Sequence, residues 1–173
     1  MNVLTADSHR ELEVHRYPLL VYALAPLIAL VLQAWLPQVL GSRAWFDLPL
    51  VVVVYFALGR RSPIQGTLMG AVLGILEDAL THHAVGVNGI AKAVAGFLAA
   101  SVGVRIDVEN KGIRLSLIVL LSLLSSATYL FVCRILLGME MDWSWLTELL
   151  KAAGNLVIGL IILPLLDRVQ LRD

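Results

Sequence analysis

Six apolar runs separated by short polar joints constrain this chain more than any other feature. They are PLLVYALAPLIALVLQAWL (18–36), FDLPLVVVVYFAL (46–58), PIQGTLMGAVLGILEDAL (63–80), VNGIAKAVAGFLAASVGV (87–104), IRLSLIVLLSLLSSATYLFVCRILL (113–137) and WLTELLKAAGNLVIGLIILPLL (145–166). Most approach the ~20 residues that cross a bilayer core as helix. A soluble domain would need polar residues to cover so much apolar sequence, and this chain lacks them. Hydrophobic residues make up 59% and charged residues 15%, against roughly 45–50% and 25% in ordinary globular chains. The expectation is an all-α integral membrane protein with one transmembrane domain over 18–168, an N-terminal tail at 1–17 and a short tail at 169–173.

The second run is the short one. Thirteen residues make a helix of only ~20 Å, less than the ~30 Å core. Either this span starts near Arg43 and runs over 43–58, or it lies tilted or half-inserted, and a four- or five-span arrangement competes. Charge placement favours six. With the N-terminus inside and six crossings, the inner side receives Arg10, Arg16, Arg60, Arg61, Arg105, Lys111, Arg114, Arg168 and Arg172, and the outer loops receive only Arg43. Basic residues favour the cytoplasmic side, so both termini are expected to be cytoplasmic. Trp35, Trp45, Trp143, Trp145 and Tyr17 flank the runs at headgroup level, as aromatic side chains with a polar tip prefer. The first run is too long for a signal-peptide core and is read as a retained span.

Gly66, Gly70 and Gly74 recur every fourth residue of the third run and share one helix stripe. The fourth run carries Ala91, Ala95, Ala99 and Gly103 in the same register. Helices gain little from hydrophobicity when the solvent is lipid, and small residues let backbones pack closely instead. The two stripes are expected to meet; the alternative is that one receives a helix of another protein.

Charged and amide groups inside the runs are the other candidates: Glu77, Asp78, Lys92, Arg134, Glu148, Lys151 and Asn155. A charge at the bilayer centre costs at least ~2.5–3.5 kcal/mol on insertion scales, so it must be paired, snorkelled or functional. The six-span arrangement puts the acids at the outer end of the third helix and the three cations in the outer half. A cluster of Glu77 or Asp78 with Lys92, Arg134 or Lys151 is therefore possible, against simple exposure at the interface. Asn155 lies deep in the last run and needs a partner inside the bundle, and Pro164 is expected to kink or end that helix.

Other chemistry is sparse. His82 and His83 follow the acids but lack the i, i+4 spacing of a strong metal site. Cys133 is alone, which excludes a disulfide within the chain. No nucleophile elbow, Walker loop or zinc-protease motif occurs. No enzyme activity, cofactor or metal is expected, and a net charge of zero suggests no nucleic-acid partner.

The stretch DLPLVVVVYFALGRRSPIQGTLMGAVLGILEDALTHHAVGVNGIAKAVAGFLAA resembles the core of the MreD family of bacterial rod shape-determining membrane proteins. Pro49 and Tyr55, the basic loop, Gly66, Gly70, Gly74, Asp78 and Gly86 carry the likeness, with Asn155 and Pro164 later. The resemblance implies a non-enzymatic scaffold of the elongasome in the bacterial cytoplasmic membrane, supporting lateral peptidoglycan synthesis. Its implied partners are MreC and, indirectly, MreB, RodA and a penicillin-binding transpeptidase, besides membrane lipids. It also implies a six-helix fold similar to the substrate-binding subunits of energy-coupling-factor vitamin transporters. Such a receptor is the alternative function, although THHAVG is a short outer loop for a ligand lid.

The topology is directly testable. A cysteine at position 61 in a chain lacking Cys133 should be labelled by an impermeant thiol reagent only in inverted vesicles. Labelling from outside alone would overturn the orientation.

Overall fold

The computed structural model describes residues 18–40, 45–82, 84–106, 110–140 and 144–169. The N-terminal tail to Tyr17 and the topology markers Arg43, Trp143 and Arg172 lie outside them, as does His83. All regular structure among the described residues is helical: α1 (Leu19–Leu40), α2 (Leu48–Arg60), α3 (Pro63–Thr81), α4 (Val87–Gly103), α5 (Lys111–Phe131) and α6 (Trp145–Asp167). The last turn of α5 widens into a π turn, Val132–Leu136. Together with this turn α5 spans 111–136. It and α6 are both long and apolar enough to cross a membrane by length and composition.

Successive helices run in opposite directions. Gly66, Gly70 and Gly74 face Gly96, Lys92 and Asn88, so α3 and α4 are antiparallel. Arg114 pairs with Asp167, and Ser122 with Asn155, so α5 and α6 are too. Trp45 and Leu58 touch Gly154 and Gly103, which makes α2 parallel to α6 and α4.

The short second run does not become a longer helix toward residue 43. Residues 45–47 are non-helical, and Asp47 is the N-cap of α2, its Oδ1 accepting from the Leu50 N–H at 2.9 Å. Pro49 sits in the first turn, where its missing N–H costs nothing. Every residue from Leu48 to Gly59 is buried. A helix that is apolar all round is a core helix, and LPLVVVVYFALG is the centre of this protein. The main core joins Val51, Val52, Val54, Phe56 and Leu58 to Ala29 of α1, Ala95 and Ala99 of α4, Ile118 and Leu121 of α5, and Leu163 of α6.

The two small-residue stripes do not meet each other. A Cβ added at Gly66, Gly70 or Gly74 would overlap backbone atoms of Gly96, Lys92 or Asn88 respectively. The glycine stripe thus lies against the Asn88–Lys92–Gly96 face of α4. Ala95 and Ala99 turn instead to the α2 core, and Gly103 abuts the Leu58 carbonyl. The physical reason is the buried α2: α4 needs one smooth face for α3 and a second for α2. Pro164 does not stop α6 at once, because the helix continues to Asp167.

The outer faces are apolar. Leu24, Ile28 and Val31 of α1, Leu68 and Val72 of α3, Leu120 of α5, and Leu160 and Ile161 of α6 are all exposed, while Gln33, Glu77, Asp78, Lys92, Arg114 and Asn155 are buried. Contiguous exposed apolar surface marks an interaction site or a membrane contact.

Gly70→Leu should be severely destabilising, because its new atoms meet backbone. Overpacking typically costs ~1–3 kcal/mol, and backbone obstruction should place this change at or above the top of that range. Gly112→Ala, whose Cβ meets only the Asn110 side chain, is the control. Thermal unfolding in detergent should separate the two, and equal melting temperatures would refute the close approach.

Candidate functional site

The start of α2 is where the six helices are tied together. Lys92 of α4 has a fully buried side chain, with its Nζ 2.7 Å from Asp47 Oδ2 and 2.8 Å from Glu77 Oε2. A buried ammonium in apolar surroundings is tolerable only when paired and hydrogen-bonded. These contacts place two carboxylates, from the α2 N-cap and the end of α3, on one cation.

The backbone around Asp47 is held as tightly. Its N–H donates to Asn155 Oδ1 of α6 at 2.6 Å, and Asn155 Nδ2 donates to Ser122 Oγ of α5. Gln33 of α1 bridges the same turn, donating from Nε2 to the Phe46 carbonyl (3.0 Å) and accepting at Oε1 from the Leu48 N–H (3.1 Å). The helix-breaking segment 45–47 exposes backbone groups that a helix would have satisfied internally. In an apolar bundle other side chains must satisfy them.

Asp78 has a different role from its neighbour. It is fully buried and makes no ion pair among the described residues. Its carboxylate accepts from the Gly86 N–H (2.8 Å), the Asn88 N–H (3.1 Å) and Asn88 Nδ2 (2.7 Å), and its carbonyl accepts from the His82 N–H. Asp78 therefore fastens the turn from α3 to α4. Gly86 (φ 99°) takes a left-handed conformation there that suits glycine.

The structure separates the other sequence candidates. Lys151 pairs with Glu148 at 3.0 Å on its own helix and stays partly exposed. Arg134 is exposed on the π turn. Neither joins the triad, so the expected cluster reduces to Glu77 with Lys92. Interface exposure of Asp78 and Lys92 is contradicted by their burial. Among the described residues no three His, Cys, Asp or Glu side chains gather as a metal site.

Asp47 and Gln33 are positions of this knot that the sequence reading missed. The Asp-Leu-Pro signature of a helix start was the available signal for Asp47. Gln33 stands as an isolated amide in its apolar run. A second polar knot lies at the opposite end of α2. Arg114 Nη1 reaches Asp167 Oδ1 at 2.7 Å, and the Tyr55 hydroxyl donates to the same oxygen at 2.8 Å. The Arg114 guanidinium also lies 5.7 Å from the Tyr55 ring centroid. Chemically, both knots hold helices in register.

Comparison with protein-family models, curated proteins and solved structures finds no match to this chain.

Removing one partner of a buried ion pair costs about 3–5 kcal/mol, because the other charge is left unpaired. Lys92→Met, which strands two carboxylates, should be the worst change in the triad. Glu77→Gln should be milder, since Lys92 keeps Asp47. Asp78→Asn should exceed Glu77→Gln, since it replaces the acceptor of three N–H bonds with an amide. Melting temperatures in nanodiscs should follow this order, and a Lys92→Met protein as stable as the parent would refute the triad as a structural lock.

Proposed function

We propose that this chain is a six-span protein of the bacterial cytoplasmic membrane, with both termini inside, that acts as a non-enzymatic scaffold of the elongasome. It would bind an MreC-like single-span partner and through it the MreB, RodA and transpeptidase machinery of lateral wall growth.

The observation that carries this reading is the α2–α3–α4 unit. The stretch that resembles MreD, 47–100, supplies Asp47, Glu77 and Lys92 of the buried triad, Asp78 of the turn lock and the glycine stripe. These groups are engaged in holding the helices of this chain together. The exposed faces of α1, α3, α5 and α6 carry apolar residues, a surface suited to lipid and to a partner's membrane helix. Helix direction supports the topology: Arg60, Arg61, Arg105, Lys111, Arg114 and Arg168 fall at one end of the helices, against Arg134 and Lys151 toward the other, in keeping with the bias of basic residues to the cytoplasmic side.

The test is affinity purification from native bacterial membranes in mild detergent, with mass spectrometry of proteins and small molecules together. The expected outcome is an MreC-like protein with wall-synthesis enzymes, lost when the partner gene is deleted. A stoichiometric vitamin with an energy-coupling module would replace this reading by the receptor one.

A further inference from the structure

Two cations at the α2–α3 turn are left over once the two polar knots are assembled. Arg60 closes the last turn of α2, and its guanidinium lies 5.0 Å from the Tyr22 ring centroid of α1. Arg61 follows as a left-handed cap (φ 53°), a conformation uncommon for a non-glycine residue. Nε of both, and Nη1 of Arg61, are shut off from solvent and have no hydrogen-bond acceptor. No carboxylate pairs with either arginine among the described residues. Asp167, the described acid of this end, is taken by Arg114 and Tyr55.

The C-terminal dipole of α2 favours a cation there, and two adjacent, partly exposed guanidiniums without a carboxylate partner among the described residues suit an anion with several acceptor oxygens. The neighbouring groups add donors. Ser62 caps α3 without using its side chain, and the Gly66 N–H bonds to the Ser62 carbonyl, which leaves the start of α3 ahead of it open. Ile64 and Leu68 of α3 and Leu20 and Leu24 of α1 are exposed and apolar beside this turn. Donors for a phosphate thus sit next to a surface for acyl chains.

We propose that the turn Arg60–Ser62, with the start of α3, binds the phosphate headgroup of one anionic membrane lipid. The inference rests on the membrane-spanning part of the functional reading and is independent of the scaffold part. Arginine suits the role because its planar fork binds phosphate oxygens two at a time. Tyr22 holds Arg60 in place, and the cap conformation sets Arg61 beside it.

Native mass spectrometry of the detergent-purified full chain tests this. Phosphatidylglycerol, phosphatidylcholine with the same acyl chains and inorganic phosphate are the probes. The parent protein should retain one phosphatidylglycerol at activation energies that strip phosphatidylcholine. Each lost arginine should weaken retention about tenfold or more, the worth of hydrogen bonds to a charged group at a specific site. Arg60→Gln/Arg61→Gln should therefore lose it, while Arg105→Gln/Arg168→Gln, which removes equal charge from the same end, should retain it. Arg61→Lys should give an intermediate result and keeps the charge if the double variant folds poorly. Equal binding of the two lipids, equal loss in both double variants, or inorganic phosphate displacing the lipid at millimolar concentration would each overturn the proposal. Failure of the membrane reading itself would show separately, as a chain released from membranes by alkaline carbonate without detergent.

Discussion

A lysine ammonium buried among helices must be neutralised where it lies, and the remaining architecture follows from how Lys92 is neutralised. The two carboxylates come from different helices, and one of them, Asp47, is also the N-cap of α2. A single residue thus starts the central helix and binds α4. Because the non-helical segment 45–47 and the first turn of α2 leave backbone groups unsatisfied, Gln33 and Asn155 bond to them from α1 and α6. Ser122 of α5 follows through Asn155. The network is connected and largely buried, with the Asp47 side chain partly exposed and Glu77 Oε2 held by the ion pair alone, and it links the helices across an apolar interior.

The burial of α2 explains its length. A helix that faces lipid must match the bilayer thickness. One enclosed by its neighbours can be shorter, provided its ends are satisfied by protein. The Asp47 knot satisfies one end, and the Arg114–Asp167–Tyr55 knot lies beside the other. Between them the interior is filled by β-branched and aromatic residues. Glycine permits the close approaches of Gly154 to the Trp45 carbonyl, of Gly103 to Leu58, and of the α3 stripe to α4.

The two acids at the end of α3 show how neighbouring residues can serve separate ends. Glu77 points to the cation and Asp78 to the backbone of the following turn. Helical geometry separates adjacent side chains by about 100°, so one faces the bundle and the other the loop. Sequence position alone made them interchangeable candidates.

The length and composition of the apolar runs by themselves determined the helical class, and α3, α4 and α6 begin at Pro63, Val87 and Trp145, where the third, fourth and sixth runs begin. The capacity of the fifth and sixth runs to cross a membrane was equally legible, because length and composition decide it. So was the need of Asn155 for a partner, since burying an amide without one is costly in any apolar fold. Only the tertiary structure decided which partners. Asp47 and Lys92 are forty-five residues apart and Asp47 and Asn155 one hundred and eight apart, and no local pattern encodes such distances. It also decided that the glycines of α3 meet the Gly96 face of α4 while the alanines of α4 turn to α2. A helix surface presents several small-residue stripes, and which one is used depends on what else must pack around it.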